Sequence, residues 1–119
     1  MKKNLDSPPL LATAVPQPLA LNTFRQPPSF VLEQNEPNPF RGETAIRFYL
    51  PRPVRVTLRL LDEDRKQLGI LYQGEIGAGW YCIDWKAETV DGNPVEAGRY
   101  LYRLEGEGFL AMRGLEIEE

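Results

Sequence analysis

The sequence predicts an all-β domain, an Ig-like (fibronectin III-like) β-sandwich of about seven antiparallel strands with a proline-rich N-terminal tail. Three observations predict it. From Phe30 onward, apolar residues recur with a period of two in short runs. Turn-forming residues separate the runs, and no stretch carries apolar residues at helical spacing. Period two places alternate side chains on opposite sides of a strand. Several such runs between turn signals pack as two sheets rather than as an α/β fold.

Residues 1–29 hold six prolines: Pro8, Pro9, Pro16, Pro18, Pro27 and Pro28. Proline removes a backbone donor and restricts the residue before it. The expectation is an extended, disordered leader, with a partner-binding peptide or a strap laid along the domain as the alternatives. Leu10, Leu11, Leu19, Leu21 and Phe24 are its possible anchors. The sandwich itself is expected over residues 30–119. At its start stands Pro37-Asn38-Pro39-Phe40. The two prolines fix two φ angles, which lowers the entropy lost on docking. Asn38 has a side chain suited to bonding neighbouring backbone amides. Phe40 then serves as an apolar plug at one end of the sandwich.

The strands follow in order. Ile46, Phe48 and Leu50 form one inward set, against Arg47 and Tyr49. After Pro51-Arg52-Pro53, Val54, Val56, Leu58 and Leu60 hold the same period against Arg55, Thr57, Arg59 and Leu61. Asp62 to Lys66 reads as a charged turn, and Leu68, Ile70 and Tyr72 continue inward on a third strand. Gly74, Gly77 and Gly79 punctuate it. Tyr81, Ile83 and Trp85 face the core next, with Trp80, Cys82 and Asp84 on the other side. Asp91-Gly92-Asn93-Pro94 is a dense turn signal. Gly98 opens a strand with Tyr100, Tyr102 and Leu104 inward. Glu105 to Gly108 turns the chain into a last strand, read with Leu110 and Met112 inward and then Leu115 and Ile117. The parity slips between Met112 and Leu115, so a bulge at Gly114 is expected to absorb it.

The length of 119 residues suits one domain. A formal net charge of -3 gives no electrostatic reason to expect DNA, RNA or an anionic membrane as partner. Arg52, Arg55 and Arg59 read as solvated arginines on a strand. Cys82 is the single cysteine, so no disulfide closes within the chain. Met1-Lys2-Lys3 is followed by an apolar run too short and too interrupted for a signal peptide, which favours the cytoplasm and leaves export open. No stretch is long enough for a transmembrane helix.

Catalytic chemistry has little to draw on. Histidine is absent, which removes the usual general acid or base. Asp62, Glu63 and Asp64 read as a hairpin turn. Cys82 has no histidine to act as its base and reads as an inert thiol. Asp84, Glu88, Asp91 and Asn93 could offer oxygens to calcium, but not at EF-hand spacing. Asp91 and Asn93 are explained by backbone hydrogen bonds in a turn. The glycines match no phosphate-binding loop. The reading is therefore no enzyme and no cofactor. Trp80, Tyr49 and Tyr72 keep a sugar-stacking face open as an alternative.

Read from Leu32, the chain runs LEQNEPNPF, then TAIRFYLP, VRVTLRLLDEDRKQLGI, GWYCIDW, DGNPVEAG and RYLYRLEG. This resembles the type A C-terminal sorting domain of cargo exported by the bacterial type IX secretion system. It is similar also to the Ig-like domain of the flagellar hook-capping protein. The likeness rests on Gln34, Pro37, Asn38, Pro39 and Phe40 at the start, on Trp85, and on Gly92, Gly98, Tyr100 and Tyr102 beyond. It spans roughly residues 32–117. Two places depart from the family pattern: Glu36 stands where an aromatic is usual, and the last strand is not lysine-rich. The resemblance implies a non-catalytic protein-interaction module with a protein partner not yet identified. A flagellar or extracellular structural sandwich is the alternative, and a small carbohydrate-binding domain another. The last strand is a candidate sheet edge, and an exposed edge can take a partner strand through backbone bonds. Its acidic end, Glu116, Glu118 and Glu119, would suit a basic partner groove, or protect the edge from aggregation.

Overall fold

The computed structural model describes residues 16–19, 29–88 and 93–119. Eight strands run in chain order: β1 (Gln17–Pro18), β2 (Val31–Leu32), β3 (Thr44–Leu50), β4 (Val54–Leu61), β5 (Gln67–Ile76), β6 (Gly79–Trp85), β7 (Gly98–Gly106) and β8 (Phe109–Ile117). They form two four-stranded sheets, ordered β1-β6-β3-β2 and β5-β4-β7-β8. Every strand pairing within them is antiparallel. The β3–β6 and β4–β7 neighbours are not consecutive in the chain, so the connections cross between sheets and tie them into a sandwich. Among the described residues, no helix is long and apolar enough to cross a membrane.

The period-two sets meet between the sheets. Ile46, Phe48 and Leu50 of β3 face Val56, Leu58 and Leu60 of β4, and all six are essentially buried. Ile83 and Trp85 of β6 and Tyr102 and Leu104 of β7 complete this layer. Asp62 closes the charged turn by accepting hydrogen bonds from the Asp64 and Lys66 amides at 2.9 and 2.8 Å. The outer faces are less polar than alternation implies. Tyr49, Thr57 and Leu61 are buried as well.

Three expectations need correction. The first is β5, where Leu68, Ile70 and Tyr72 were expected on one side. The β4 register shifts between Leu58 and Arg59, from Tyr72 to Ile70. Leu71 is the extra residue of that bulge, and it joins the core where Ile70 does not. The second is β8. Its ladder to β7 runs without a shift from Gly106–Phe109 to Gly98–Ile117, so no bulge forms at Gly114. The tight turn at Glu107-Gly108, with Gly108 at φ 89°, sets this register. It pairs the inward Leu104 with Ala111 and the inward Tyr100 with Leu115. Phe109, Ala111, Leu115 and Ile117 therefore take the core face, while Leu110 and Met112 point outward. Leu110 is 60% exposed.

The third correction lies in the leader. Gln17–Pro18, expected to be without regular structure, pair with Cys82 and Tyr81 of β6. Residues 1–15 and 20–28, with Leu10, Leu11, Leu21 and Phe24, lie outside the described residues, as do Asp91 and Gly92 of the expected turn.

Candidate functional site

The residues around Pro37-Asn38-Pro39-Phe40 form a clasp that joins the two sheets at one end. The chain leaves β2 and stays beside β3: the Glu33 amide donates to the Arg47 carbonyl at 3.0 Å. Glu36 and Ala45 exchange a pair of backbone bonds at 3.0 and 2.9 Å. Both proline peptide bonds, Glu36-Pro37 and Asn38-Pro39, are cis. The segment then crosses to the other sheet. The Phe40 amide donates to the Glu116 carbonyl, and the Glu118 amide donates to the Phe40 carbonyl, at 3.0 and 2.8 Å. The Asn38 side-chain oxygen accepts from the Glu116 amide at 2.9 Å. Gln34 reaches the same strand, donating to the Gly114 carbonyl at 2.5 Å.

Phe40 enters the core at 1% exposure, its ring centroid 6.4 Å from that of Trp85. The plug expected from the sequence is thus in place. Trp85 is itself held by its Nε1, which donates to the Glu88 carbonyl at 3.2 Å. Tyr102 is fully buried, and its hydroxyl donates to the Glu33 carbonyl at 2.7 Å. Arg113 adds a bond from Nε to the Leu32 carbonyl at 2.9 Å. At the start of β7, the Tyr100 hydroxyl donates to the Glu96 carbonyl at 2.6 Å, the local latch known from sandwich folds as a tyrosine corner. Gly98, at φ 147°, opens that strand in a conformation that favours glycine.

The motif thus converges. Gln34, Asn38 and Phe40 bind β8; Trp85 packs on Phe40; Tyr102 holds the segment that leads into the clasp. Gly98 and Tyr100 stand at the opposite ends of the β7–β8 pairing from the Phe109 turn, beside Ile117 and Leu115.

Two clasp residues escaped sequence reasoning. Asn35 is 1% exposed and Thr44 is 2% exposed, both polar. The Asn35 amide donates to the Pro37 carbonyl at 3.1 Å and to Thr44 Oγ1 at 3.0 Å. Thr44 Oγ1 donates to the same Pro37 carbonyl at 2.9 Å, and Gln34 Nε2 donates to Asn35 Oδ1 at 2.8 Å. Burial of polar groups costs little when each is bonded. Among the described residues no buried side-chain nitrogen or oxygen lacks a partner. Nothing in the sequence singled them out: Asn35 stands in the polar run Gln34-Asn35-Glu36, two residues before Pro37, a pattern that solvent-exposed turns share.

Tyr102 also carries a pH dependence. Burial pushes its phenol up to about 12, against a backbone hydrogen bond from Asn35 and the charge of Arg113. An unfolded tyrosine titrates near 10. A raised folded value means that the contribution is complete below the unfolded value and is lost as pH climbs from about 10 towards 12. Tyr102→Phe is expected to cost about 1–3 kcal/mol at neutral pH, by leaving the Glu33 carbonyl without its donor. Above pH ~10 its stability should fall less steeply than that of the parent. Urea unfolding of both proteins across the alkaline range checks this; parallel curves would show that Tyr102 does not titrate on unfolding.

The other candidate groups are dispersed. Arg52 donates to the Glu107 carbonyl at 3.2 Å and lies 5.4 Å from the centroid of Phe30, which stacks on Phe109. Arg59 donates to Glu105 at 2.7 Å and also to Gln67, and Arg103 donates to Glu105 at 2.9 Å. Burial alone would raise the Glu105 carboxyl, but Arg59 and then Arg103 outweigh it and hold the group below its ordinary value. Arg52 and Arg55 are exposed, Arg55 on the outer face of β4, whereas Arg59 is half-buried.

Cys82 is half-buried, and its Sγ lies 3.8 Å from Asp84 Oδ1. Burial, then the Asp84 carboxylate, push its thiol above the ordinary value. This suppresses the thiolate that would act as nucleophile. Tyr49 and Trp80 pack at 5.3 Å with rings tilted by 49°, and Tyr49 is 7% exposed. Tyr72 belongs to the other sheet and packs on the core. The three aromatics do not share one face. Asp84 is exposed on β6, and Glu88 is bridged to Pro94. Asp91, the central residue of the calcium alternative, lies outside the described residues.

The acidic end of β8 is not a free edge. Backbone groups of Glu116 and Glu118 are already bonded to Phe40, and the Glu116 amide to Asn38. β8 is the outer strand of its sheet, and among the described residues its edge is open upstream of the clasp, at Leu110 and Met112.

These features define a small β-sandwich domain with a polar clasp. No protein-family model matches the chain, and no curated protein matches it significantly. Among solved structures, the chain is similar to a Pseudomonas fluorescens alkylpurine DNA glycosylase AlkC bound to DNA containing an abasic site analog, at 11% identity and a TM-score of 0.42. The match covers 76% of this chain and 31% of that one.

Proposed function

We propose that this domain is a non-catalytic protein-interaction module of the type IX sorting-domain kind, held by a protein partner through its surface. The observation that supports the reading is the convergence of the motif. Gln34, Asn38, Phe40, Trp85 and Tyr102, which carry the resemblance, meet in one hydrogen-bonded and packed unit. A scattered likeness would leave them apart. The partner surface is the open stretch of β8 at Leu110 and Met112, with Glu118 and Glu119 exposed beyond the clasp. A partner strand gains backbone bonds along the edge, and a basic partner gains from the acidic end.

The test is a fusion. The chain is attached behind a reporter that carries an export signal, in a bacterium with an active type IX system. Surface display or release of the reporter is the expected result. Leu110→Lys, which places a charge on the open edge, should reduce it. Glu118→Ser with Glu119→Ser should reduce it further. A reporter that stays in the periplasm although the domain is folded would overturn the reading.

A further inference from the structure

The short β1 strand has a feature that its length conceals. In antiparallel pairing, residues alternate between those that exchange backbone bonds with the neighbour and those that turn them away. The Leu19 amide donates to the Trp80 carbonyl at 3.0 Å, and Gln17 stands opposite Cys82. Gln17 and Leu19 therefore direct their backbone groups at β6. Pro16 and Pro18 occupy the alternate positions, whose backbone nitrogens point away from the sheet. Proline has no N–H to offer there. The inner rim of β1 keeps its donors, and the outer rim has none at either position. Pro16 is also buried, on the face that Ile83 shares, so the segment is anchored by packing.

Proline is tolerated on an edge strand when its nitrogen faces away from the ladder, and edge prolines block further strand addition. Without this segment, β6 would present its backbone groups at Trp80, Cys82 and Asp84 over a seven-residue strand. We propose that Pro16–Leu19 is a donor-free edge seal that prevents a second copy of this domain from adding a strand to the β1-β6-β3-β2 sheet. A second copy is the relevant intruder because every copy carries the same sheet and, among the described residues, an open β8 edge without lysine or proline at Leu110 to Met112. The inference is independent of any export role.

Two full-length variants separate the parts of the idea, studied under reducing conditions so that no disulfide contributes. Gln17→Pro with Leu19→Pro removes the inward donors and should release the strap. Hydrogen exchange at the Cys82 amide should then accelerate by about 100-fold or more, because its β1 partner is lost. Sedimentation over a concentration series should show self-association that the parent lacks. Pro16→Val with Pro18→Val keeps the strap but restores donors on the outer rim. Cys82 protection should persist while self-association rises. If the released variant shows fast exchange yet stays monomeric, the sealing role is overturned. Unchanged exchange in that variant would overturn the pairing on which it rests. A valine variant that stays monomeric while the released one associates would overturn the part assigned to the missing donors.

Discussion

Trp85→Ala is expected to lower the unfolding free energy by about 3–5 kcal/mol, the cost of truncating a large buried aromatic. Three features place it at that level. The side chain is 2% exposed, so nearly all of its area leaves water on folding. Its ring packs on Phe40, so truncation opens a cavity beside the clasp as well as within the core. Its Nε1 is the donor to the Glu88 carbonyl. A domain with a total of about 5–15 kcal/mol would lose a third or more of its stability. Urea denaturation checks the value, with an unchanged m showing that the unfolded state is not altered. Trp85→Phe keeps most of the packing and loses the donor, and should cost less than half as much. A loss below about 1 kcal/mol for the alanine variant would show that the indole does not hold the core.

The second large effect is expected at Asn35. Asn35→Leu keeps the volume roughly constant but removes the carboxamide at the centre of the clasp. The Pro37 carbonyl keeps only its bond from Thr44, and the Thr44 hydroxyl loses its donor. An unsatisfied buried polar group costs about 1–3 kcal/mol, so a loss of about 2–4 kcal/mol is expected for this knot. Asn38→Ala provides the contrast. It also removes a hydrogen bond, to the Glu116 amide, but Asn38 is exposed and water replaces its oxygen. Its cost should stay near 1 kcal/mol or below. Chemical denaturation of both variants decides the order; equal losses would mean that burial does not set the energy of the clasp.

The two positions differ in how they could be read. Trp85 stands in a run where Tyr81 and Ile83 share its parity, and that pattern alone assigns it to the core. Asn35 carries no such pattern. Its burial follows from Phe40 docking on β8 and from β3 bringing Thr44 alongside, contacts between segments that local sequence does not link. β8 shows the same division. Leu110, Met112, Leu115 and Ile117 are all apolar, and hydrophobicity alone selects the wrong pair with the right one. The Glu107-Gly108 turn settles the register, and pairing with β7 then carries one parity through to Ile117.

Composition and period two by themselves determined an all-β sandwich and the inward faces of β3, β4, β6 and β7. These depend on the alternation of side chains along a strand, which is local geometry. Among the described residues, tertiary structure alone decided which edge stays open, which carbonyls Gln34, Asn35 and Tyr102 satisfy, and which way Pro16 and Pro18 direct their nitrogens. Pro16 and Pro18 look like strand breakers until the strand they lie beside is known. A missing N–H is harmful on the side that faces β6 and harmless on the side that faces away. That side is set by the partner strand, sixty residues and more along the chain.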